Sequence, residues 1–473
     1  MATLVAVVTA LKQHWGGLEE TLRFALQQAH GVPLDETLRQ KLVGGRVFGT
    51  LVYPNTLAGF LVVALGPVLA WLWLQTRSRR LWIRWGGLGV AGGTILWCLW
   101  LTGSRGGLLA MAVMTVTGAL LLARQNRHRW WALAATAALL ALGLVAVGRR
   151  GTSSFSARLD YWRGAVAIAR DNPWLGTGPG TFGSIYPKYK TATTEEAQLA
   201  HNGYLEMWCD SGAAAFVIFA AFWAIGWWQA VRLTRQRPGD PVALALAVAL
   251  TGWIVHQGVD FDLHVPGVAV PAFLLLGMVC GLRLENSGPR TANRSWRVEG
   301  LLAVGLLIAL AVWEGQMLVA SQRSGVGDFQ GAVRWASRNA DYWSAAGLAA
   351  AQAGAPELAV IAFHQSVRLD WFRAAHHWRL AQAELSAHGL TGQVRRELRL
   401  AVELNPTHSS YRQALTETEE KLRQGASGLL EFVPAEAKPG RKLTDRGEWV
   451  TASRPTGEGI HAWNSNKSEP SSK

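Results

Sequence analysis

Three short blocks of the sequence carry residue types that can do chemistry together. They are Thr102-Gly103-Ser104-Arg105-Gly106-Gly107, Ser156-Ala157-Arg158-Leu159-Asp160-Tyr161-Trp162 and His201-Asn202-Gly203-Tyr204-Leu205-Glu206. A guanidinium is a planar fork that donates two parallel hydrogen bonds, so Arg105 and Arg158 suit a phosphate-type anion. An imidazole titrates near neutral pH, so His201 can take a proton from a hydroxyl. In the first block the glycines allow close backbone approach, and a helix start leaves N–H groups pointing at whatever lies above it. Each block also has a plainer reading: a tight turn with an arginine reaching for the membrane surface, and an interfacial histidine in a structural role. At helical spacing His201, Tyr204, Leu205 and Trp208 share one face, with Asn202 and Glu206 on another. The glycines at alternate positions in Gly176-Thr177-Gly178-Pro179-Gly180 follow no strand, which excludes a dinucleotide fingerprint. That stretch reads as an ordered turn, with anion contact by its N–H groups as the alternative.

These blocks must be positioned by elements that live in lipid. Of 473 residues, 50% are hydrophobic and 16% charged, and 24 are Trp; the mean hydropathy is +0.13. Such a composition excludes a disordered chain and fits poorly with one soluble domain. A bilayer core takes about 20 apolar residues of helix. Runs of that kind lie near 54–74, 81–101, 107–123, 130–147, 212–231, 241–257, 265–282 and 300–320. The expected fold class is therefore all-α: a polytopic helical membrane bundle of about eight spans. Residues 1–43 form an N-terminal segment, shortened or interfacial.

The net charge of +14 would suggest nucleic acid in a soluble protein, but here the cations lie between apolar runs, and no nucleic-acid partner is expected. Arginines concentrate in the loops holding Arg77, Arg79, Arg80 and Arg84, then Arg124, Arg127 and Arg129, then Arg232, Arg235 and Arg237, then Arg283, Arg290, Arg294 and Arg297. Loops rich in Arg and Lys stay on the cytoplasmic side. Counting spans then puts Arg105, the long loop 148–211 with Arg158 and His201, and the turn with His256, Asp260, Asp262 and His264 on the outer side. That last turn reads as a solvated loop rather than a metal pair. Cys98, Cys209 and Cys280 are scattered without metal-ligand spacing, and neither a metal nor a cofactor is expected.

Beyond residue 320 the composition becomes that of soluble helices. Trp343 and Trp378, Phe363 and Leu398, Ser366 and Ala401, and Trp371 and Pro406 recur at one offset, close to the 34-residue period of tetratricopeptide repeats. Residues 321–425 are expected to form such a helical domain on the outer side, capped by helices near 328–340 and 408–424. It would grip a partner protein or glycan, or serve as a spacer. Residues 426–473 read as a disordered tail.

Taken in order, Gly45-Arg46-Val47-Phe48-Gly49-Thr50 with Tyr53-Pro54-Asn55-Thr56-Leu57-Ala58, Gly103-Ser104-Arg105-Gly106-Gly107, Arg158 four before Trp162, the stretch Asn172 to Phe182, and His201-Asn202 with Gly212 resemble the O-antigen ligase and polymerase superfamily. The resemblance covers about residues 44–282, inside a transmembrane domain drawn at 44–320. It implies a metal-independent membrane glycosyltransferase of the bacterial inner membrane, with the repeat domain in the periplasm. The donor would be a polyprenyl diphosphate-linked glycan, and the acceptor a lipid A core sugar or a growing glycan. On that resemblance Arg105 and Arg158 hold the donor diphosphate and His201 is the base or orients the acceptor. Arg46, Asn55 and Asn202 are supporting residues. A good leaving group already present asks only for charge neutralisation and positioning of a hydroxyl, which agrees with these residue types. A polymerase, which differs in acceptor, is the alternative. A transporter would need ionisable groups in mid-span, where Glu314 is the main exception, and a tethered scaffold leaves the polar blocks unexplained.

Overall fold

The computed structural model describes residues 1–16, 45–51, 53–123, 153–191, 194–285, 312–424, 441–443 and 449–451. The chain divides into two compact units, Met1–Leu306 and Leu307–Lys473. The expected spans at 130–147 and over the first part of 300–320 lie outside the described residues.

The helices of the first unit are α1 (Ala2–Gly16), α2 (Pro54–Thr76), α3 (Leu81–Leu101), α4 (Arg105–Ala123), α5 (Ser153–Asp171), α6 (Phe182–Tyr189), α7 (Gly203–Gln236), α8 (Pro241–Gln257) and α9 (Pro266–Glu285). Local sequence explains several of their ends. Pro54 and Pro241 stand in first turns, where a missing N–H costs nothing. Asp240 caps α8 by accepting from Val242 N at 2.8 Å, and Ser104 Oγ accepts from Gly107 N at 3.1 Å as α4 begins.

Small residues let α2, α4 and α8 touch. A Cβ on Gly66 would stand 2.9 Å from the Ala245 carbonyl, and one on Gly107 would stand 2.8 Å from Ala58 Cβ. Glycine here is what allows the backbones to meet, and in lipid such packing is the main force between helices. Gly59 lies by Asp262, Val62 by Gly252 and Gly66 by Ala245, so α2 and α8 run antiparallel. The start of α2 and the end of α8 therefore share one end of the bundle with the start of α4. Arg77, Arg79 and Arg80, which follow α2, fall at the other end.

Among the described residues four helices are long and apolar enough to cross a membrane: Pro54–Thr76, Arg105–Leu122, Gly203–Gln236 and Pro266–Arg283. α8 is apolar but only 17 residues long. α7 is not one straight rod. Gly212 has φ 82° and ψ 176°, and the rings of Tyr204 and Phe219 lie 5.6 Å apart, with Trp208 and Phe216 at 6.0 Å. Residues 15 apart on a straight helix would be about 22 Å apart. The segment 203–211 thus climbs to Gly212, the chain folds back, and 213–236 descends beside it. The expected span from 212 is this descending arm.

The N-terminal segment is not a free appendage over its described part. Ala6 and Ala10 of α1 are buried. Gln13 Oε1 accepts from Phe48 N at 3.0 Å and Gly49 N at 2.8 Å.

The second unit is a run of consecutive packed helices: α10 (residues 312–325), α11 (Phe329–Trp335), α12 (Ala340–Gln352), α13 (Pro356–Leu369), α14 (Ala374–His388), α15 (Gly392–Leu404) and α16 (Ser409–Arg423). The paired positions Phe363 and Leu398, and Ser366 and Ala401, are buried on α13 and α15 alike. α10 runs across the expected domain boundary at residue 320, and Ala320 packs with Ala332 and Ala336. Within the segment read as a disordered tail, β1 (Arg441–Leu443) pairs antiparallel with β2 (Trp449–Thr451). The rest of that tail lies outside the described residues.

Candidate active site

The site is built on the turn 258–265, which follows the short α8. Asp260 and Asp262 are each 1% exposed and His256 is fully buried, so the solvated-loop reading of this turn is wrong. The turn is folded down between α2, α4 and α7, and its carboxylates are enclosed because partners from other helices meet them there. Buried charges persist only when paired.

Asp260 is the hub. Its Oδ2 lies 3.3 Å from Arg158 Nη2, and its Oδ1 lies 3.4 Å from His201 Nδ1. Arg158 Nη1 donates to the Val259 carbonyl at 2.8 Å. Burial alone would raise the Asp260 carboxyl, but the neighbouring His201, His256 and Arg158 outweigh it and hold the group below its ordinary value. Asp262 is instead pushed up by burial, against the pull of His256, whose Nδ1 lies 2.5 Å from Asp262 Oδ2. His264, bonded through Nε2 to Glu206 Oε1 at 2.8 Å, is raised by that contact.

His201 is held by backbone and rings more than by helical spacing. It precedes α7 and has φ 51°, a left-handed conformation uncommon outside glycine and often found where function imposes it. The helical-face argument therefore does not set its direction. Asn202 caps α7, accepting from Tyr204 N and Leu205 N at 3.1 Å each, and Trp162 Nε1 donates to the His201 carbonyl at 3.3 Å. Phe261 meets the His201 ring edge-on at 4.8 Å, and Tyr161 stacks on it at 5.9 Å. The His201 side chain remains 27% exposed, and its Nε2 takes no hydrogen bond from the described residues.

The other candidates surround this core. A Cβ on Gly106 would stand 2.8 Å from Val259 Cγ2 and 3.5 Å from His256 Nε2. The first turn of α4, which Arg105 opens, thus lies on the same turn that carries Asp260. Arg46 Nε donates to the Thr102 carbonyl at 2.7 Å, and its Nη2 donates to Asn55 Oδ1 at 3.0 Å. Arg46 and Asn55 brace the turn before Arg105, and Asn202 acts as a cap.

The glycine-rich turn is satisfied from within. Thr177 N and Gly178 N donate to the carbonyls of Cys209 and Asp210 at 3.0 and 2.8 Å. Gly180 N donates to Asp210 Oδ2 at 2.8 Å. These N–H groups already hold two backbone carbonyls and one internal carboxylate, which leaves the ordered-turn reading.

Sequence reasoning missed Asp260. The available signal was the crowding of two Asp and two His into one turn between apolar helices, where a solvated charge cluster and a buried one look alike.

Residues 90–220 match the family described as O-antigen ligase. No curated protein and no solved structure matches the chain. The matched stretch runs from α3 into the descending arm of α7. It contains Arg105, Arg158, His201 and Asn202, while Arg46, Asn55 and Asp260 lie outside it. At the level of the family, the match and the apolar helices support a multi-pass membrane protein of the ligase or glycosyltransferase type, acting on lipid-linked glycans.

Proposed function

We propose that this protein transfers a glycan from a polyprenyl diphosphate carrier to an acceptor hydroxyl at the outer face of the bacterial inner membrane, as an O-antigen ligase does. The observation that carries the reading is that Arg158 and His201 stand on the two oxygens of one buried carboxylate, Asp260, beside the turn that presents Arg105.

In this reading the acceptor hydroxyl oxygen forms a bond to the anomeric carbon of the donor sugar as the bond from that carbon to the diphosphate breaks. The hydroxyl proton passes to His201 Nε2, and polyprenyl diphosphate leaves with the electron pair. Asp260 beside Nδ1 favours the tautomer whose Nε2 accepts, and stabilises the imidazolium that forms. Arg105 and Arg158 offset the charge developing on the diphosphate. Arg158 is 14% exposed and already bonded to Asp260 and Val259, so it is preorganised. Arg46 and Asn55 fix the turn behind Arg105. A polymerase performs the same step with a growing glycan as acceptor. The second unit, as tetratricopeptide-like repeats in the periplasm, would hold a partner protein or the glycan.

The test is transfer by the full-length protein in proteoliposomes, from a polyprenyl diphosphate-linked glycan to a lipid A core acceptor or to a second repeat unit. His201→Ala is expected to lower the rate about 100- to 10,000-fold, the range for a lost general base. Unchanged output from inserted, folded His201→Ala and Arg158→Ala proteins would end the reading.

A further inference from the structure

Two adjacent large apolar residues, Trp174 and Leu175, are 76% and 86% exposed, yet the chain that carries them is tightly held. Ala213 N donates to the Pro173 carbonyl at 2.8 Å, Gly176 N to the Asn172 carbonyl at 3.1 Å, and Thr177 N and Gly178 N to carbonyls of the climbing arm of α7. Gly212 and Gly176 are the contact points. A Cβ on Gly212 would collide with the Trp174 carbonyl, and one on Gly176 would collide with the Asp210 backbone. Rigid backbone thus holds two greasy side chains outward at the top of the α7 hairpin.

Their height follows from the descending arm. Arg232 and Arg235 near its lower end mark the arginine-rich boundary. A hydrocarbon core of about 30 Å takes about 20 residues at 1.5 Å each, which puts the opposite boundary at about Gly212. Below that level the arm exposes Val217, Ile218, Phe222, Ile225 and Trp228, a stripe suited to acyl chains. Trp174, whose carbonyl lies against Gly212, and Leu175 stand at about that height, and Trp is the residue type enriched at such a boundary.

We propose that Trp174 and Leu175 form a wedge that inserts into the outer leaflet and sets the depth of the α7 hairpin. The lipid surface is the occupant because two exposed apolar side chains are held at the height of the boundary, above an arm whose exposed side chains are apolar. The hairpin they anchor begins at His201, so the wedge also holds that end of the bundle at a fixed depth. This inference needs the bundle to span a membrane and does not depend on the transfer reaction.

The test uses full-length protein in nanodiscs of phosphatidylethanolamine and phosphatidylglycerol, with Cys280→Ser removing the exposed thiol. Cys98 and Cys209 are buried. A nitroxide is attached at Leu175→Cys and, in a second protein, at Trp174→Cys. Ile218→Cys is the lipid reference and Arg396→Cys, exposed in the second unit, the water reference. Both wedge labels are expected to collide with oxygen several-fold more often, relative to nickel-EDDA, than the Arg396→Cys label, as the Ile218→Cys label does. Accessibility to nickel-EDDA equal to that of the Arg396→Cys label would overturn the proposal. Shielding from both reagents would also overturn it, because a protein surface would then cover the pair.

Discussion

Histidines facing carboxylates occur in both units of this protein, and they do different work. In the second unit His377 is buried with both ring nitrogens bonded, Nδ1 to Glu397 Oε2 and Nε2 to the Trp371 carbonyl, each at 2.8 Å. That ring has no capacity left and serves to join α14 to α15. In the first unit His201 shares Asp260 with an arginine, has an Nε2 that takes no hydrogen bond from the described residues, and sits in a left-handed conformation. The residue types are alike, and the difference lies in which atoms the fold has already used. A saturated imidazole is part of the structure, and an imidazole with one nitrogen beside a carboxylate and the other open can exchange a proton.

The largest expected effect separates the two carboxylates. Asp260→Asn should lower glycan transfer at least about 100-fold, since it removes the charge that orients His201 and pairs with Arg158. Glu397→Gln should leave transfer at the wild-type rate. Rates measured on both proteins in proteoliposomes decide the matter, and a fully active Asp260→Asn protein would erase the distinction.

Next in size is Gly212→Ala. A side chain there meets the Trp174 carbonyl and must adopt φ near 82°, so a loss of more than about 2 kcal/mol is expected. It should appear as a lower unfolding temperature of the membrane unit together with reduced transfer. Wild-type stability would mean that the two arms of α7 do not need their hairpin.

His377→Ala should cost about 1–3 kcal/mol, by leaving the buried Glu397 Oε2 without its partner. Thermal unfolding should show the loss in the helical unit with transfer unchanged. Loss of transfer at full stability would give the second unit a part in the chemistry.

The smallest effect is a pH dependence at the end of α14. His388 is raised above 6.5, chiefly by its bond to Glu384, with Glu357 adding to it. A raised imidazole contributes stability that is complete below pH 6.5 and is lost as pH rises through the folded value. Amide exchange in the last turn of α14 should therefore quicken on going from about pH 6 to about pH 8, beyond the intrinsic rate change. His388→Ala should remove that excess, and an excess that persists would place the titrating group elsewhere.

Several features were legible in the sequence because they depend on short stretches. The apolar runs forming α2, α4 and α9 announce themselves through length and composition. The offset of 35 between Phe363 and Leu398 foretold equivalent buried positions on α13 and α15. The blocks around Arg105, Arg158 and His201 were visible as residue types that suit an anion and a proton. Other features were not legible, and each turns on a contact between distant residues. The reversal at Gly212 reads as the first residue of a span until the Tyr204–Phe219 contact shows the fold-back. Asp260 reads as a wet loop residue until Arg158, 102 residues away, reaches it.

The sequence by itself determined that this chain has apolar helices of membrane length, a helical second unit, and arginines and a histidine in blocks resembling one family. Those properties are local or periodic, so they survive without knowledge of neighbours. Only the tertiary structure decided that Asp260 joins Arg158 to His201, that the glycine-rich turn is occupied by Asp210, and that Asn202 is a cap. Burial and hydrogen bonding between remote segments depend on how the helices pack. A carboxylate's role is set by the partners that reach it, which the order of residues along the chain does not state.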